Sequence, residues 1–546
     1  MSPQVARIRE EFPVLEREVN GEPLTYLDNA ATTHTPREVY EIFEEFYAGY
    51  NANVHRGIHE LSHEASLAYE DAHDRVAEFV GASGGREEMI FTRNTTESIN
   101  LVAHGLALPE FGPGDAIVTT EMEHHASLVT WQQVAERTGA EIRFVHVTDD
   151  GHVDVEHAKS LIDDDVALVS IPHVSNVLGT ITPVRTFADL AHDAGAVLVV
   201  DGAQSAPTRP VDVEAMGADF FAFSGHKMAG PTGIGGLYGR KELLEGMEPF
   251  LYGGEMIQHV TFDRSTWNGL PWKFEAGTPP IAEGIALAAA VEYLDDLGME
   301  WVRDHENRLA QYALERLHER DDVETYGPGP GEERTGLVSF NVDGVHGHDL
   351  SSVLNERGIA VRAGDHCTQP LHDRLDVPGS VRASFYVYNT TEEIDRLLDA
   401  IDDAETKVDA HLRNRYADRL YEHHRDPHNT GGLAEPSLVK SSEETTCGDD
   451  GEFHVDVAPD GTIEGVGFES ESCAVSRAVA SLISEYLEER TVEDAAEMEG
   501  EVAAMLDGQF PELRRECVVG PEEVIREAAR EYLSGGQTVE GSASAT

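Results

Sequence analysis

Short apolar runs bounded by turn residues recur between residues 115 and 226, and helix-like stretches separate them. The runs read DAIVTTE, EIRFVHV, VALVSIPH, AVLVVDGAQ and ADFFAFSGH. Apolar strands that alternate with helices predict a mostly parallel sheet covered on both faces. Ligands usually bind at the carboxyl ends of the strands in such a sheet. The pattern therefore predicts an α/β fold with its functional site at those strand ends.

The pattern changes in the second half of the chain. Residues 281–320 indicate long helices, and residues 335–405 indicate an α+β segment that closes with a helix. A new helix follows in KVDAHLRNRYADRLYEHHRDPHNTGGL, so we place a domain boundary near residue 408. The closing residues GGQTVEGSASAT predict disorder. The predicted organisation is one unit over 1–408, a second over 409–535 and a disordered tail over 536–546.

Length and charge narrow the class of protein. The chain has 546 residues, 40% of them hydrophobic, which is enough for two or three cores. Its 102 acidic and 40 basic residues give a formal net charge of −62. Such a surface repels nucleic acid and anionic membranes and suits high salt, so we expect no binding to either and a halophilic host. No run of about eighteen apolar residues and no signal-peptide centre occur, which favours a cytoplasmic protein.

The four cysteines are Cys367, Cys447, Cys473 and Cys517. In a large cytosolic chain, metal binding or catalysis is a better interpretation than disulfide bridges. Cys367 lies in the short polar segment RAGDHCTQPL, apart from the other three.

A rare lysine lies in a conspicuous segment, VLVVDGAQSAPTRPVDVEAMGADFFAFSGHKMAGPTGIGGLYG, over residues 197–239. One predicted strand delivers Asp201 and then Gln204. The next delivers the Ser224, His226 and Lys227 of SGHK and is followed by a predicted glycine-rich turn. Upstream, Thr95 and Thr96 begin a predicted helix, where free N–H groups favour a phosphate.

This set of side chains is what pyridoxal phosphate requires. The cofactor needs a lysine amine, a carboxylate for its pyridinium nitrogen, and hydroxyl or N–H donors for its phosphate. A capping aspartate and a solvated lysine are the alternative interpretation. The spacing of DxxQ, SGHK and the threonine pair favours the cofactor site.

Seven segments in order resemble the group II, SufS-type cysteine desulfurases, which are fold-type I pyridoxal phosphate enzymes of the class V aminotransferase group. They are YLDNAATTHTP, NVHRGIHELSHEA, EMEHHASLVTWQ, HVSNVLGT, SGHKMAGPTGIGGLYG, FEAGTPPIAEGIAL and RAGDHCTQPL. The resemblance covers about residues 1–405. It implies a large cofactor domain over about 25–290 and a small α+β domain built from the N-terminal segment and about 291–408.

The resemblance also implies a role for individual residues. Lys227 should carry the cofactor, His124 should stack on its ring, Asp201 should pair with the pyridinium nitrogen and Gln204 should contact the phenolic oxygen. The phosphate should be held by Thr95, Thr96, Ser224 and His226, with Thr278 reaching it from the partner subunit of a homodimer. Asn176 and Arg382 should bind the substrate carboxylate, for which a guanidinium fork is well suited.

The implied reaction moves sulfur from L-cysteine to Cys367 as a persulfide and releases L-alanine. The loop must let Cys367 enter the site and also present its cargo outside. The resemblance also implies cationic neighbours of the substrate or the thiol, whose positive charge would lower the thiol pKa. They are His366, Arg56 and Arg362. Many relatives have a histidine where this chain has Asp365, and a carboxylate there would raise the thiol pKa unless a cation neutralises it.

The other three cysteines fit a metal site. Cys447 and Asp449 form a CxD pair, and together with Cys473 and Cys517 they make a feasible tetrahedral zinc set. Buried inert cysteines are the alternative. The segments LYEHHRDPHNTGG, TCGD, SCAVSRAVAS and RRECVV resemble the SufU members of the IscU/NifU scaffold family over about 412–535. The resemblance implies a small α+β domain with zinc on those four residues.

The SufU resemblance implies a sulfur acceptor fused to its donor. We expect Cys447 to accept sulfur while His348 replaces it on zinc, and expect iron–sulfur cluster assembly (the Suf machinery) to receive the sulfur. The absence of a histidine beside the third cysteine favours zinc over a cluster. Selenocysteine lyase and a C-terminal iron–sulfur scaffold remain the alternatives, and transfer RNA thiolation is a second destination. Whether the transfer runs within one chain or between subunits is open.

Overall fold

The computed structural model describes residues 2–402, 404–434, 436–444, 449–470, 472–488 and 490–535. A seven-stranded sheet lies at the centre of the first unit. The five predicted apolar runs form five adjacent, parallel strands, which confirms the mostly parallel sheet. In spatial order the strands are Met89–Thr92, Gly235–Gly239, Phe220–Ser224, Val197–Asp201, Val166–Pro172, Ala116–Thr120 and Glu141–Val145.

The strand Gly235–Gly239 is antiparallel to both neighbours and follows the predicted glycine-rich turn, which lies over residues 228–233 directly after Lys227. Close packing explains its glycines. A Cβ on Gly235 would lie 2.5 Å from the Phe223 carbonyl oxygen, and one on Gly236 would lie 2.3 Å from the Phe223 ring. The sequence therefore predicted the turn correctly but not the strand that follows it, because small residues can serve packing as well as turns.

Helices cover both faces of the sheet and enclose two apolar cores. The long pair Ile281–Leu297 and Met299–His318 confirms the predicted helices. The other helices of this unit are Pro3–Glu10, Arg37–Glu45, Glu60–Phe79, Thr95–Val102, Leu108–Glu110, His125–Thr138, Val155–Leu161, Val184–Asp193, Val213–Met216 and Lys241–Gly246. A hairpin joins Ile257–Val260 to Ser265–Trp267.

A smaller antiparallel sheet follows with its own core. Its strands, in spatial order, are Val323–Tyr326, Leu337–Val342, Ser380–Ser384 and Arg362–Gly364. The helices Gly347–Glu356, Gln369–Arg374 and Thr391–Ile401 pack beside it. The N-terminal segment joins here, because Thr25–Tyr26 pairs with Ile359–Ala360.

The helix Ala404–Arg415 runs through the predicted boundary near residue 408, so a helix joins the two units there. The C-terminal unit has an antiparallel sheet of Leu438–Glu444, Asp449–Val457 and Ile463–Ser470. Its helices are Asp418–Arg425, Ala474–Leu487, Val492–Glu497, Glu501–Met505 and Arg515–Leu533. Among the described residues, no helix combines the length and apolar character needed to cross a membrane.

Candidate active site

One cavity of about 240 Å³ lies at the carboxyl ends of the parallel strands and reaches the Cys367 segment. It gathers most of the residues that the sequence predicted for the cofactor and substrate. Its lining includes Thr95, Thr96, His124, Asn176, Asp201, Gln204, Ser224, His226, Lys227, Arg362, His366, Cys367 and Arg382. Side chains from both the central and the smaller sheet therefore face the same space.

Lys227 enters the cavity from a short 3-10 turn, Gly225–Lys227, that follows the strand Phe220–Ser224 directly. Burial lowers the pKa of its amine to about 8, against a smaller opposing effect of the Asp201 carboxylate. A lysine with such a pKa is partly neutral near pH 7, and a neutral amine is the form that acts as nucleophile or base.

One corner of the cavity is built to hold an anion. Asn94 caps the helix Thr95–Val102, and its side chain accepts a hydrogen bond from Glu97 N. Ser224 Oγ accepts from Thr95 N at 2.9 Å and lies 2.7 Å from Thr95 Oγ1, which joins a strand end to a helix start. Because a helix N-terminus carries a partial positive charge and the Thr95 and Ser224 hydroxyls lie beside it, this corner suits a phosphate.

Three more side chains surround the middle of the cavity. Asp201 ends the strand Val197–Asp201, and burial raises the pKa of its carboxyl group, so this carboxylate is stabilised by a cationic partner. Gln204 Nε2 donates to Ala30 O at 2.8 Å. His124 Nδ1 accepts from Ala126 N at 3.0 Å, and burial lowers the His124 pKa to about 3. The ring is therefore neutral, with its proton on Nε2.

Arg382 and Asn176 lie together in the cavity lining and are the residues predicted to bind the substrate. Arg382 is 2% exposed, donates from Nη1 to Asn176 O at 2.9 Å and pairs through Nη2 with Asp28 Oδ1 at 3.3 Å. Burial lowers the Arg382 pKa to about 10, so the guanidinium remains charged at neutral pH. Asn176 Nδ2 donates to His366 O at 2.9 Å. A buried cation beside an amide is suited to a carboxylate ligand.

Sequence reasoning missed two carboxyl groups at this site. Asp28, in YLDNAATTHTP, is the counter-ion of Arg382, and burial raises its pKa. Glu123, in EMEHHASLVTWQ, precedes His124 and accepts from Thr120 Oγ1 at 3.0 Å. Burial raises the Glu123 pKa to about 8. Both carboxyl groups lie inside segments that carry the family resemblance, and that position was the one sign in the sequence that they belong near the site.

The Cys367 segment is held in an unusual backbone conformation. His366 and Cys367 have φ values of 52° and 60°, a region that non-glycine residues rarely occupy. Cys367 O accepts from His125 N at 2.8 Å, and Cys367 N donates to Asp365 Oδ1 at 3.1 Å. Asp365 therefore stabilises the turn that aims Cys367, a role that its short side chain suits.

Two predicted site residues lie outside the cavity lining, and a third, inside it, is not a cation. Burial lowers the pKa of His366 well below its usual range, so the expected cation at His366 was wrong and the ring is neutral. Arg56 is exposed, pairs with Glu255 at 3.2 Å and is not part of the cavity lining. Thr278 is exposed and also lies outside that lining, so its role toward a partner subunit stays a prediction.

The side chains of the cavity fit pyridoxal phosphate. An amine, a buried carboxyl group, a neutral imidazole and a phosphate corner face one space, and each matches one part of that cofactor. Cys367 and Arg382 line the remainder, where an amino acid substrate would lie.

The predicted zinc ligands are only partly described. Cys447 lies outside the described residues, and so does the side chain of Asp449. Cys473 and Cys517 are both buried and lie on either side of one serine: Ser476 Oγ is 3.3 Å from Cys473 Sγ and 3.5 Å from Cys517 O. Over the described part of the chain, no cluster of three or more potential metal ligands occurs. The zinc set therefore stays a prediction.

Known proteins match both units. The sequence pattern of the family described as Aminotransferase class-V matches residues 25–397, and that of the NifU-like N terminal domain matches residues 415–538. A cysteine desulfurase of Haloferax volcanii is 65% identical over 412 residues, which cover 73% of this chain and 96% of the relative. A probable cysteine desulfurase of Halobacterium salinarum is 62% identical over 401 residues, covering 73% and 96%.

Solved structures agree with these relatives. The cysteine desulfurase CsdA of Escherichia coli, in its S-sulfonic acid form, superposes with a TM-score of 0.69 at 40% identity, covering 74% of this chain and 99% of that one. The apo cysteine desulfurase of Thermococcus onnurineus superposes with a TM-score of 0.69 at 42% identity, covering 74% and 98%.

Proposed function

This chain belongs to the class-V aminotransferase family and is a cysteine desulfurase with a fused NifU-like domain, and from that premise we propose that Cys367 takes the sulfur of L-cysteine and passes it to the fused domain. The observation that carries the proposal is that Lys227, Arg382 and Cys367 line one cavity.

The substrate is oriented by its charged groups. Arg382 and Asn176 bind its carboxylate at the small-sheet side of the cavity, and Arg382 exchanges its contact with Asp28 for the ligand. The substrate amine then faces Lys227, and its side chain extends toward Cys367, because these two residues line the same cavity as the arginine. Arg362, at the start of the strand that leads to Cys367, adds positive charge beside the thiol.

The chemistry combines one proton transfer with one sulfur transfer. When bound, pyridoxal phosphate supplies an electron sink that acidifies the substrate Cα and weakens its Cβ–S bond. The substrate amine displaces Lys227 from the cofactor, and the freed Lys227 amine then takes the Cα proton. The Cys367 thiolate attacks the substrate sulfur, so an S–S bond forms as the C–S bond breaks. Protonation of the carbon skeleton releases alanine. L-cysteine and the Cys367 thiol thus become L-alanine and a Cys367 persulfide, with no external oxidant.

We assign the cofactor contacts to the residues that line the cavity. Lys227 holds the cofactor covalently, Asp201 faces the pyridine nitrogen, Gln204 the phenolic oxygen and His124 the ring. Thr95, Thr96, Ser224 and His226 surround the phosphate. Exposed Thr278 completes the phosphate site of a partner subunit, which makes the enzyme a homodimer.

The fused domain is the sulfur acceptor in this proposal. Zinc is held by Cys447, Asp449, Cys473 and Cys517, and His348 replaces Cys447 when that thiol takes sulfur. This role for His348 is supported by its contact with the C-terminal unit. The His348 carbonyl oxygen accepts from Arg514, which lies three residues before Cys517. A scaffold for iron–sulfur clusters is the second candidate for this domain, favoured by the NifU-like match. The Suf machinery of cluster assembly is the proposed recipient of the sulfur.

The direct test measures alanine and persulfide in the same reaction. With L-cysteine and a reductant, the wild-type chain should release alanine, whereas Cys367→Ala and Lys227→Ala should release none above background. Arg419→Gln, at an exposed pair in the C-terminal unit, is the control and should match the wild type. Alanine formation by Cys367→Ala at the normal rate would refute the role of the thiol. Metal analysis then separates the C-terminal alternatives, since one zinc per chain supports transfer and iron with sulfide supports scaffolding.

A further inference from the structure

An arginine of the C-terminal unit is buried against the catalytic unit. Arg514 ends the short turn Glu512–Arg514 and reaches the helix Gly347–Glu356, called here the docking helix. Its Nη2 donates to Asp349 Oδ1 at 2.9 Å, and its Nη1 donates to His348 O and Ser352 Oγ, both at 2.8 Å. The guanidinium thus uses both ends of its fork on one helix turn of the other unit.

The same aspartate also binds a helix end in the C-terminal unit. Asp349 Oδ2 accepts from Ala474 N at 2.7 Å, and Ala474 begins the helix Ala474–Leu487 directly after Cys473. The first N–H groups of a helix have no partner within it, and a carboxylate there is favourable. Both carboxylate oxygens of Asp349 therefore contact the C-terminal unit. Oδ1 pairs with Arg514, three residues before Cys517, and Oδ2 accepts from the residue after Cys473.

Because both side chains of this pair are buried, the pair favours one position of the C-terminal unit on the docking helix. Asp349 is 5% exposed and Arg514 is 8% exposed. Removing one partner of a buried pair leaves a charge without compensation, so the pair tolerates little displacement. The apolar surroundings agree, because Val353 of the docking helix shares a core with Leu412, Cys473 and Cys517.

The docking helix connects this interface with the strand that leads to Cys367. At its first residue, a Cβ on Gly347 would lie 3.6 Å from Ala363 Cβ, in the strand Arg362–Gly364. At its last residue, Glu356 Oε1 accepts from Arg415 Nε at 2.7 Å, which ties the connecting helix Ala404–Arg415 to the same helix. The docking helix thus contacts both the connecting helix and the C-terminal unit that follows it.

We propose that the Asp349–Arg514 pair docks the fused domain onto its own catalytic unit, so that sulfur passes from Cys367 within one chain. This inference rests on the proposed transfer to the fused domain and adds its route. Asp349 and Arg514 act as positioning residues: they hold the cysteine face of the acceptor against the helix that packs on the strand before Cys367.

Labelled sulfur separates docking from catalysis. The full chain receives L-[³⁵S]cysteine, and label is measured on the C-terminal peptides without reductant, while alanine is measured with reductant. Asp349→Asn and Arg514→Gln should lower C-terminal label by about tenfold or more, since each leaves a buried partner unpaired. Alanine release with reductant should match the wild type. Arg514→Lys, which keeps the charge without the fork, should label at an intermediate level, and Arg419→Gln should label normally.

A mixed-chain experiment tests the route itself. Wild-type chains are co-expressed with tagged Cys367→Ala chains, and the label on each C-terminal domain is compared. Transfer within a chain predicts less than about a tenth of the label on the tagged chain, since it has no donor thiol of its own. Equal label on both chains would overturn the same-chain route and leave the proposed function intact. If the wild-type chain by itself carried no C-terminal label, the proposed transfer would be refuted. Normal C-terminal label in Asp349→Asn would overturn the role of the docking pair.

Discussion

The Lys227 amine should make capture of pyridoxal phosphate by the apoprotein depend steeply on pH. Burial lowers its pKa from the ordinary 10.5 to about 8. At pH 7 the neutral amine then makes up roughly 9% of the population, against roughly 0.03% for an unperturbed lysine. Because only the neutral amine attacks the cofactor aldehyde, capture at pH 7 should be about 300-fold faster than for an exposed lysine.

The sign of the pH dependence follows from the lowered pKa. Below pH 8 the capture rate should rise about tenfold for each pH unit, and it should level off above pH 8 as the amine becomes fully neutral. Asp201→Asn should move the midpoint to lower pH, since the Asp201 carboxylate raises the Lys227 pKa. Asp149→Asn, which removes a fully exposed carboxylate, should leave the midpoint in place.

The assay follows the visible absorption of the bound cofactor after apoprotein and pyridoxal phosphate are mixed in a stopped-flow instrument. Measurements above about pH 7 keep the cofactor phosphate in one charge state, since its second pKa is about 6. A midpoint near 10.5, or a midpoint that Asp201→Asn leaves unchanged, would refute the electrostatic reasoning. A slower rate with the same midpoint would indicate only an effect on cofactor binding.

Three further predictions concern the turn, the core and the surface. Asp365→Asn keeps an acceptor for Cys367 N and should retain most alanine release. Asp365→Ala removes that acceptor and should lose roughly 0.5–1.5 kcal/mol of turn stability, and with it several-fold of the alanine-release activity. Equal activities of the two variants, or a shifted pH profile in Asp365→Asn alone, would contradict the turn role. Glu275→Gln should lower the free energy of unfolding by about 1–3 kcal/mol in urea titrations, because Glu275 accepts from Tyr69 Oη and Phe91 N, both at 2.8 Å. A change below about 0.5 kcal/mol would count against it. With a net charge of −62, Tm should rise from about 0.15 M to about 1 M KCl as the Debye length shrinks from about 8 Å to about 3 Å, and a flat or falling Tm would contradict this.

Local pattern was sufficient for the strands that are apolar on both faces. The runs around Val166–Pro172 and Val197–Asp201 were recognisable because parallel strands under two helix layers need continuous apolar side chains. The strand Gly235–Gly239 was not recognisable, because its glycines are required by contacts with Phe223 on the neighbouring strand. The neighbour of a strand is not a local property of the sequence.

The sequence likewise predicted which kinds of side chain belong to the site, but it did not predict how they are arranged in space. Motif spacing predicted cofactor-facing roles for Lys227 and Asp201, and the family resemblance predicted a reactive role for Cys367. Their common cavity depends on how the smaller sheet packs on the larger one. The neutral state of His366 follows from burial, which no motif reports.

The sequence by itself determined the types of reactive group and the alternation of strands and helices, since both depend on side-chain chemistry and local periodicity. Only the tertiary structure decided which distant residues meet. Asp28 pairs with Arg382 across 354 residues of chain, and Asp349 pairs with Arg514 across 165. The physical reason is that such pairs form when packing has already removed both charges from water, and packing belongs to the whole fold.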